Sequence, residues 1–308
     1  MSAKPLVPRL ALIGIGLIGS SIAHAARRGG LAGHIAGYAP SQGERDRAEK
    51  VGFADSLHAS IADAVKDADL VILAAPVGAY GEIAREMAPH LKQGAIVSDT
   101  GSVKAAVVRD VGPHIPQGVH LVPAHPVSGT EQSGPEAGFA ELFDGRWCLL
   151  TPPEGADAQA VATVTQFWTG LGSQVEIMEP KHHDLVLAIT SHLPHLIAYN
   201  IVGTAAHLEQ VTKGEVIKYS AGGFRDFTRI AASDPTMWRD VFLNNKEAVL
   251  EMLGRFSEDL TDLQRAIRYG DGNFLFELFS RTRDIRRSII DAGQDSAAPD
   301  FGRGKKDQ

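Results

Sequence analysis

The segment LALIGIGLIGSSIA, residues 10–23, passes from an apolar run through a glycine motif into a helical pattern. Gly14, Gly16 and Gly19 have the spacing Gly-x-Gly-x-x-Gly. Between a strand and a helix, glycines at this spacing allow a tight turn and let a pyrophosphate approach the helix N-terminus. The segment therefore predicts a dinucleotide-binding unit for a nicotinamide or flavin cofactor. The alternative is a fold of this kind that has lost its ligand.

Further apolar runs, separated by helical patterns, continue as far as residue 152. The run DLVILAAP, residues 69–76, is continuous, as expected for a strand buried on both faces of a parallel sheet. This alternation predicts an α/β fold with an N-terminal Rossmann-type doubly wound sheet, whose ligands bind at the carboxyl ends of the strands. The predicted strands are 9–14, 34–38, 69–76, 95–101, 119–125 and 146–152.

Past residue 180 the sequence changes to long helical patterns without strand-like runs. Helices are predicted over 181–213, 235–268 and 272–292. We therefore predict an all-helical C-terminal domain after the sheet domain. The predicted parts are 1–180 for the dinucleotide-binding domain, 181–292 for the helical domain and 293–308 for a polar tail.

The composition narrows the class of protein. The 308 residues carry a net charge of −7, which argues against a nucleic-acid binder with a broad basic surface. Cys148 is the single cysteine, so we expect no internal disulfide or cysteine-based zinc site, and its neighbours predict a buried strand residue. The first residues lack the pattern of a signal peptide or a membrane span. We expect a soluble cytoplasmic protein.

The end of the second predicted strand bears on cofactor choice. In this fold a carboxylate about 20 residues past the glycine motif binds the ribose 2′-hydroxyl of NAD. That place reads Tyr38-Ala39-Pro40-Ser41, and Arg45 and Arg47 follow. Hydroxyl and guanidinium groups there favour the 2′-phosphate of NADP, with NAD possible; the alternative is that both arginines are solvated helix residues. The predicted cofactor site comprises Gly14, Gly16, Leu17, Ile18, Gly19, Ala39, Ser41, Arg45, Ala75, Pro76 and Thr100.

Polar residues follow the fourth predicted strand in SDTGSVK, residues 98–104. Asp99, Thr100, Ser102 and Lys104 thereby fall at the sheet edge where a nicotinamide is expected to lie. The alternative for Ser102 is that it caps the next helix.

The next strand ends in VPAHPVSGTEQSG, residues 122–134, which places His125 on a loop of small and polar residues. We expect this histidine to be exposed. A neutral imidazole there can accept a hydrogen bond from a substrate hydroxyl whose carbon gives up hydride, which is the general-base role of a dehydrogenase histidine.

The helical half offers histidines and arginines. His192 and His195 are three apart, but no third ligand has the spacing for a metal site, so we expect no metal and favour substrate hydrogen bonding by His195. Arg225 and Arg229 are one helical turn apart and suit a substrate carboxylate. The alternative is a surface salt-bridge helix, although the apolar neighbours of both arginines predict burial.

Taken together, five motifs resemble the prephenate/arogenate dehydrogenase (cyclohexadienyl dehydrogenase) family of tyrosine biosynthesis. They are HPVSGTEQSG, SHLPH, GGFRDFTRIAASDPTMWRD, DTGSVK and the glycine motif. The similarity covers about residues 8–290, and the order of the motifs is more specific than any one of them. It implies that His125 is the catalytic histidine, that Ser102 lies beside the nicotinamide, and that the helical domain forms a homodimer. The implied substrate pocket comprises Thr130, His183, His195, Gly222, Asp226 and Arg229.

The resemblance implies an oxidative decarboxylation. His125 would take the proton of the ring 4-hydroxyl, hydride would leave C4 for the nicotinamide, and carbon dioxide would leave C1. Prephenate would give 4-hydroxyphenylpyruvate and arogenate would give tyrosine, which resembles the substrate enough to bind the same pocket. Two alternatives remain from the residues: a β-hydroxyacid dehydrogenase, which uses a lysine of its helical domain, and a redox-silent dinucleotide sensor.

Overall fold

The computed structural model describes residues 4–212, 215–219 and 221–291. The predicted polar tail, 293–308, lies outside the described residues. The main sheet has six parallel strands in the order β3-β2-β1-β4-β5-β6. Its strands are β1 (Val7–Ile13), β2 (Ala32–Tyr38), β3 (Ser56–His58), β4 (Leu70–Leu73), β5 (Ile96–Asp99) and β6 (His120–Leu121).

The fifth predicted strand is in fact two strands that belong to different sheets. β6 ends at Leu121, and after Pro123 the chain enters a second sheet of three strands in the order β7-β8-β9. Pro123 has no N–H to continue the ladder with β5, so the chain leaves the first sheet there. The segment 146–152, expected in the doubly wound sheet, lies in this second sheet instead. Its strands are β7 (Ala124–Pro126), β8 (Trp147–Leu150) and β9 (Gln174–Ile177).

Helices cover both faces of the main sheet, as a doubly wound fold requires. Alternate residues of β1 show this, because Leu10 and Leu12 belong to one buried cluster while Ala11 and Ile13 belong to another. The helices of this part are α1 (Leu17–Arg28), α2 (Gln42–Val51), α3 (Ile61–Val65), α4 (Tyr80–Met87), α5 (Lys104–Val111) and α6 (Ala158–Gly170). Short 3-10 turns are Val77–Ala79, Ala88–His90, Gly112–His114, Pro135–Ala137 and Ala140–Phe143.

Every described element after β9 is helical. The predicted helix 181–213 is interrupted by a π-helical turn, Ala188–His192, and the predicted helix 235–268 ends and restarts at Asn245. Pro194 is tolerated because it lies at the second position of the helix that follows the π turn. The helices are α7 (Pro180–Leu187), α8 (Leu193–Thr212), α9 (Glu215–Lys218), α10 (Gly222–Thr228), α11 (Pro235–Asn244), α12 (Lys246–Tyr269) and α13 (Gly272–Asp291), with a 3-10 turn at Arg229–Ala232.

By compactness the chain divides into Met1–Leu250 and Glu251–Gln308. The helices from α7 to α11 therefore belong to the same compact unit as both sheets. In the second unit, Gly270 has a φ of +69° and Asp271 caps α13 by accepting the N–H of Phe274 at 3.1 Å. The predicted domain division at residue 180 rests on the change from strand-like runs to helical patterns in the sequence, and it stays a prediction.

One helical stretch, Pro180–Leu208, is long and apolar enough to cross a membrane by length and composition. This is weak evidence for a span, because helices of soluble cores pass the same test. The stretch also carries His183 and Asp184, which are buried and bonded to residues of the second sheet and of α5.

Candidate active site

The glycine motif forms the turn between β1 and α1. Gly14 has a φ of +108°, and a Cβ there would lie 2.5 Å from the carbonyl oxygen of Ala74. At Gly16, the first residue before α1, a Cβ would have no atom within 4 Å, and no side chain caps the helix. The turn therefore leaves open space against free amide groups, where the pyrophosphate of a dinucleotide fits.

The loop after β2 lacks a carboxylate, as predicted. Ala39 is buried, Ser41 caps α2 by accepting the N–H of Glu44 at 3.4 Å, and α2 begins at Gln42. The guanidinium of Arg45 folds back over this loop, where its Nη1 donates to the carbonyl oxygens of Ala39 at 2.6 Å and Pro40 at 2.9 Å.

The other candidate for the 2′-phosphate is differently placed. The Nε atom of Arg47 lies 3.3 Å from a carboxylate oxygen of Glu136, and both side chains are half exposed. Arg45 is therefore the arginine that the structure holds beside the end of β2.

A buried ion pair underlies the carboxyl edge of the main sheet. The Nζ atom of Lys104, which is 0% exposed, donates to Asp99 Oδ2 at 2.5 Å and to the carbonyl oxygen of Ala124 at 2.6 Å. Asp99 Oδ1 accepts the N–H of Ala124 at 3.1 Å. Burial lowers the pKa of Lys104 and raises that of Asp99, and the attraction between the two groups opposes both shifts. Both side chains thus lie beneath the edge and fix the strand that carries His125.

Two predicted residues follow the buried pair. Thr100 donates its N–H to the carbonyl oxygen of Leu73 at 3.0 Å. Ser102 is half buried, and it does not cap the next helix, because the N-cap of α5 is Val103 and makes no side-chain cap bond. The capping alternative for Ser102 is therefore wrong.

His125 is the central residue of β7 and is 8% exposed, so the expectation of an exposed loop histidine is wrong. Backbone pairing opposite Leu149 of β8 holds it in the strand. Its Nδ1 lies 2.8 Å from Nε2 of His183, with the two rings edge to face at 5.0 Å between centroids. Burial, with smaller contributions from His183, Lys104 and His192, lowers the pKa of His125 well below its usual value. The imidazole is therefore neutral at neutral pH.

Hydrogen bonding assigns the tautomer of this neutral ring. Nδ1 of His183 lies 2.9 Å from Asp184 Oδ1, an acceptor, so His183 carries its proton on Nδ1 and accepts at Nε2. His125 then donates from Nδ1, and its Nε2 keeps a free lone pair. This is the arrangement that a general base requires.

His195 lies in the first turn of α8, directly after the π-helical turn, and packs against Trp238. Nδ1 of His195 lies 2.9 Å from the carbonyl oxygen of Ser191, and its ring stacks on Trp238 at 3.6 Å between centroids. The indole N–H of Trp238 has no hydrogen-bond partner among the described residues. Burial lowers the pKa of His195, and Arg229 lowers it further. A neutral His195 that donates from Nδ1 thus keeps Nε2 as an acceptor.

His192 is buried and holds a hydrogen bond within the helical region. Its Nδ1 accepts from Asn245 at 3.0 Å, and burial lowers its pKa to about 4.

Arg229 is exposed and pairs with Glu131 of the loop after β7, at 3.2 Å. Thr130, which precedes Glu131 in the chain, accepts the N–H of Gln132 at 3.2 Å. The helix α10, which carries Gly222, Arg225 and Asp226, contains no buried residue. The predicted burial of this helix is therefore wrong within a single chain.

Two family profiles match this chain in succession. The nucleotide-binding domain of prephenate dehydrogenase matches residues 22–177, and the dimerization domain of prephenate dehydrogenase matches residues 179–281. The chain belongs to the prephenate dehydrogenase family. It is an NAD(P)-dependent oxidoreductase. The match of both profiles confirms the family predicted from the motifs and disfavours both alternatives.

Similar prephenate dehydrogenases come from several bacteria. The cyclohexadienyl dehydrogenase of Zymomonas mobilis is 43% identical over 91% of this chain and 95% of its own length. The prephenate dehydrogenase of Bacillus subtilis is 33% identical over 90% of this chain and 75% of its own. The crystal structure of the Aquifex aeolicus prephenate dehydrogenase, in complex with hydroxyphenyl propionate and NAD+, has a TM-score of 0.86 at 35% identity and covers 94% of this chain and 100% of that one.

In this member of the family, sequence reasoning missed three side chains at the site. Asp184, Trp238 and Asn245 bond or stack with the predicted histidines. Trp238 lies inside the quoted segment GGFRDFTRIAASDPTMWRD and Asp184 follows the predicted His183, but no local pattern tells which residue they meet.

Proposed function

We propose that this chain catalyses the oxidative decarboxylation of prephenate, arogenate or both, with 4-hydroxyphenylpyruvate or tyrosine as product. The observation that most supports this reaction is His125, a buried, neutral histidine whose bonded Nδ1 leaves Nε2 as an acceptor. The identity to relatives named cyclohexadienyl and prephenate dehydrogenases supports the same substrates.

In the proposed reaction, the ring hydroxyl donates a hydrogen bond to Nε2 of His125, which takes the proton as the carbon–oxygen bond becomes a carbonyl. A bound nicotinamide dinucleotide supplies the two-electron acceptor. Carbon dioxide then leaves the quaternary ring carbon, the electron pair of the broken bond aromatises the ring, and the oxygen takes a proton back from His125. Because aromatisation drives this second stage, the chain's main tasks are to orient the ring and to hold one proton acceptor.

The substrate carries two carboxylates, and Arg229 is the proposed partner of one of them. Its guanidinium pairs with the carboxylate of Glu131, which supports a carboxylate-binding role. His195, whose pKa is lowered by burial and by Arg229, is the proposed hydrogen-bond acceptor nearby, and Trp238 stacks on its ring. Thr130, Gly222 and Asp226 remain proposed pocket residues on the same loop and helix.

His183 has a different proposed role from the one that the resemblance implies. The whole residue is buried, and its two ring nitrogens face Asp184 and His125. We therefore expect His183 to act through His125 and not to touch the substrate.

NADP is the proposed preferred cofactor, with NAD as a weaker substitute. Support comes from the absent carboxylate at Ala39, the hydroxyl of Ser41 and the guanidinium of Arg45 over the same loop. The open turn at Gly14, Gly16 and Gly19 and the neighbours Leu17, Ile18, Ala75, Pro76 and Thr100 complete the proposed cofactor site.

A homodimer is proposed through the helical region, 181–292. Large apolar side chains stand exposed on α12 and α13 within the second compact unit, as expected for a face that a second copy covers. They include Leu260, Ile267, Tyr269, Phe276, Phe279 and Ile285. We further propose that tyrosine competes for the substrate pocket and that the protein is cytoplasmic.

A direct assay tests the proposed function. Purified protein is mixed with prephenate or arogenate and with NADP or NAD, and the absorbance of the reduced nicotinamide is followed. Turnover of at least one substrate is expected, accompanied by release of carbon dioxide in equal amount. Absence of turnover with all four combinations, in protein that binds a dinucleotide, contradicts the proposal.

A further inference from the structure

Asp184, His183 and His125 form an unbroken hydrogen-bonded chain behind the proposed proton acceptor. Asp184 Oδ1 lies 2.9 Å from Nδ1 of His183, and Nε2 of His183 lies 2.8 Å from Nδ1 of His125. All three residues are buried. The chain joins α7, in the helical half, to β7, in the second sheet.

Backbone amides fix the direction of this chain. The N–H of Lys104 donates to Asp184 Oδ1 at 2.7 Å, and the N–H of Ala105 donates to Oδ2 at 2.9 Å. A peptide N–H can only donate, so both oxygens of Asp184 are used as acceptors at the N-terminus of α5. His183 must then donate to Asp184 from Nδ1, and it has only Nε2 left to accept from His125.

We propose that Asp184 and His183 are positioning residues that hold His125 in the tautomer with its proton on Nδ1. An imidazole in water favours the proton on Nε2, and in that form His125 would offer the substrate hydroxyl an N–H in place of a lone pair. This inference rests on the proposed function of His125 and adds the two residues that prepare it.

The pair also bears on the charge that His125 gains when it takes the proton. The groups facing His125 are His183 and Asp184 of α7, the buried Lys104–Asp99 pair below β7, and His192 of the π turn. Lys104 and a second protonated histidine disfavour a charge on His125, whereas Asp184 offsets it through His183. Removal of Asp184 therefore takes away the carboxylate that stabilises the protonated ring through His183.

A purely structural role for Asp184 makes a different prediction, because Asp184 also caps α5. Asn245 provides a matched control: its Nδ2 donates to the backbone carbonyl of Asp184 at 2.8 Å and to His192 at 3.0 Å, outside the chain to His125. Asn245→Ala removes buried bonds from the same helix but keeps the pair intact. It should lower the melting temperature without changing the tautomer of His125.

Nitrogen NMR of protein labelled with ¹⁵N-histidine tests the tautomer directly, without substrate or cofactor. The signals of His125 are identified by their loss in His125→Asn. In the unmodified chain they should report a neutral ring protonated at Nδ1. In His183→Phe, which removes the acceptor, and in Asp184→Ala, which takes away the carboxylate that fixes the proton of His183 on Nδ1, the proton of His125 should move to Nε2.

Kinetics provide the second measurement. Both variants should lose turnover by about 10²-fold or more, on the scale of a histidine held in the wrong tautomer, while the KM for cofactor changes little. A ring protonated at Nε2 in the unmodified protein, or an unchanged tautomer in whichever of the two variants folds, overturns the inference. If the unmodified chain turns over neither prephenate nor arogenate, the proposed function fails, but the NMR result still judges the positioning role.

Discussion

The guanidinium of Arg229 lies 3.2 Å from the carboxylate of Glu131. These residues are 98 positions apart in the chain, yet they join the start of the 3-10 turn after α10 to the loop that follows the strand of His125. A group suited to a substrate carboxylate is thus already paired with a protein carboxylate. A substrate carboxylate at Arg229 would therefore compete with Glu131.

Replacing either partner separates these two roles. Arg229→Ala should raise the KM for prephenate or arogenate by about 10²-fold, because a charge-assisted contact to a dianion is lost. Glu131→Gln should instead lower the KM a few-fold, since it removes the competing charge. Steady-state kinetics at saturating cofactor measure both effects. Arg225→Ala is the control one turn away, and if it alone raises the KM, Arg225 and not Arg229 holds the carboxylate.

His125→Asn should lower kcat by about 10²-fold or more, the usual scale for loss of a positioned base. Dinucleotide affinity, measured by fluorescence titration, should stay within a few-fold of the original, because the glycine turn is untouched. Near-normal turnover in this variant would remove His125 from the mechanism.

Ala39→Asp should shift the cofactor preference from NADP towards NAD. The new carboxylate adds like-charge repulsion against a 2′-phosphate and restores the partner of a ribose hydroxyl. The ratio of kcat/KM for the two cofactors measures the shift. Arg45→Ala should lower the ratio of kcat/KM with NADP to kcat/KM with NAD, because it removes a guanidinium beside the loop. Arg47→Ala serves as the control, because the guanidinium of Arg47 pairs with Glu136. A higher kcat/KM with NAD than with NADP in the unmodified chain refutes the preference.

His192 should make the fold sensitive to acid. Its pKa of about 4 in the folded chain lies below the ordinary 6.5, so the unfolded chain binds more protons between these values. Stability from this group is complete above about pH 6.5 and is lost as the pH falls towards 4, by roughly 3 kcal/mol in all. Urea unfolding at several pH values measures it. His192→Gln should weaken this pH dependence, and an equal slope in both proteins would show that other groups cause it.

Light scattering at micromolar concentration should give the mass of two chains. A helical surface with this many exposed apolar side chains needs a partner to cover it. Phe276→Asp and Phe279→Asp together should give monomers if the dimer uses this face. A monomer mass for the unmodified chain contradicts the dimer.

Local patterns were sufficient for the larger elements. β1 and β4 lie in apolar runs, and β2 and β5 combine apolar residues with a few polar ones, so all four strands could be predicted from local patterns. β3 and β9 were missed because they are short and carry polar residues such as Ser56 and Glu176. The second sheet was missed because it depends on Pro123, which ends one ladder and lets the chain begin another.

The site divides in the same way. His125, His195 and Arg229 stand in recognisable motifs, and the chain could be assigned to its family from them. Their partners are set by tertiary packing: His183 is 58 positions from His125, and Asp184 is 80 positions from the amide of Lys104. No periodicity in the sequence reports contacts at such separations, so the hydrogen bonds from which the tautomer of His125 is inferred became apparent only in the folded structure.

The bonds of Asp184 to the first turn of α5 also bear on how such an enzyme could be divided or recombined. A fragment that ended near residue 180 would keep the cofactor turn and His125 itself, but it would lack the residues that orient that ring. If the proposed roles hold, dinucleotide binding needs only the N-terminal half, whereas proton transfer needs both halves. Exchange of the helical half between relatives would preserve chemistry only if the incoming helix brought its own histidine–aspartate pair in register with α5.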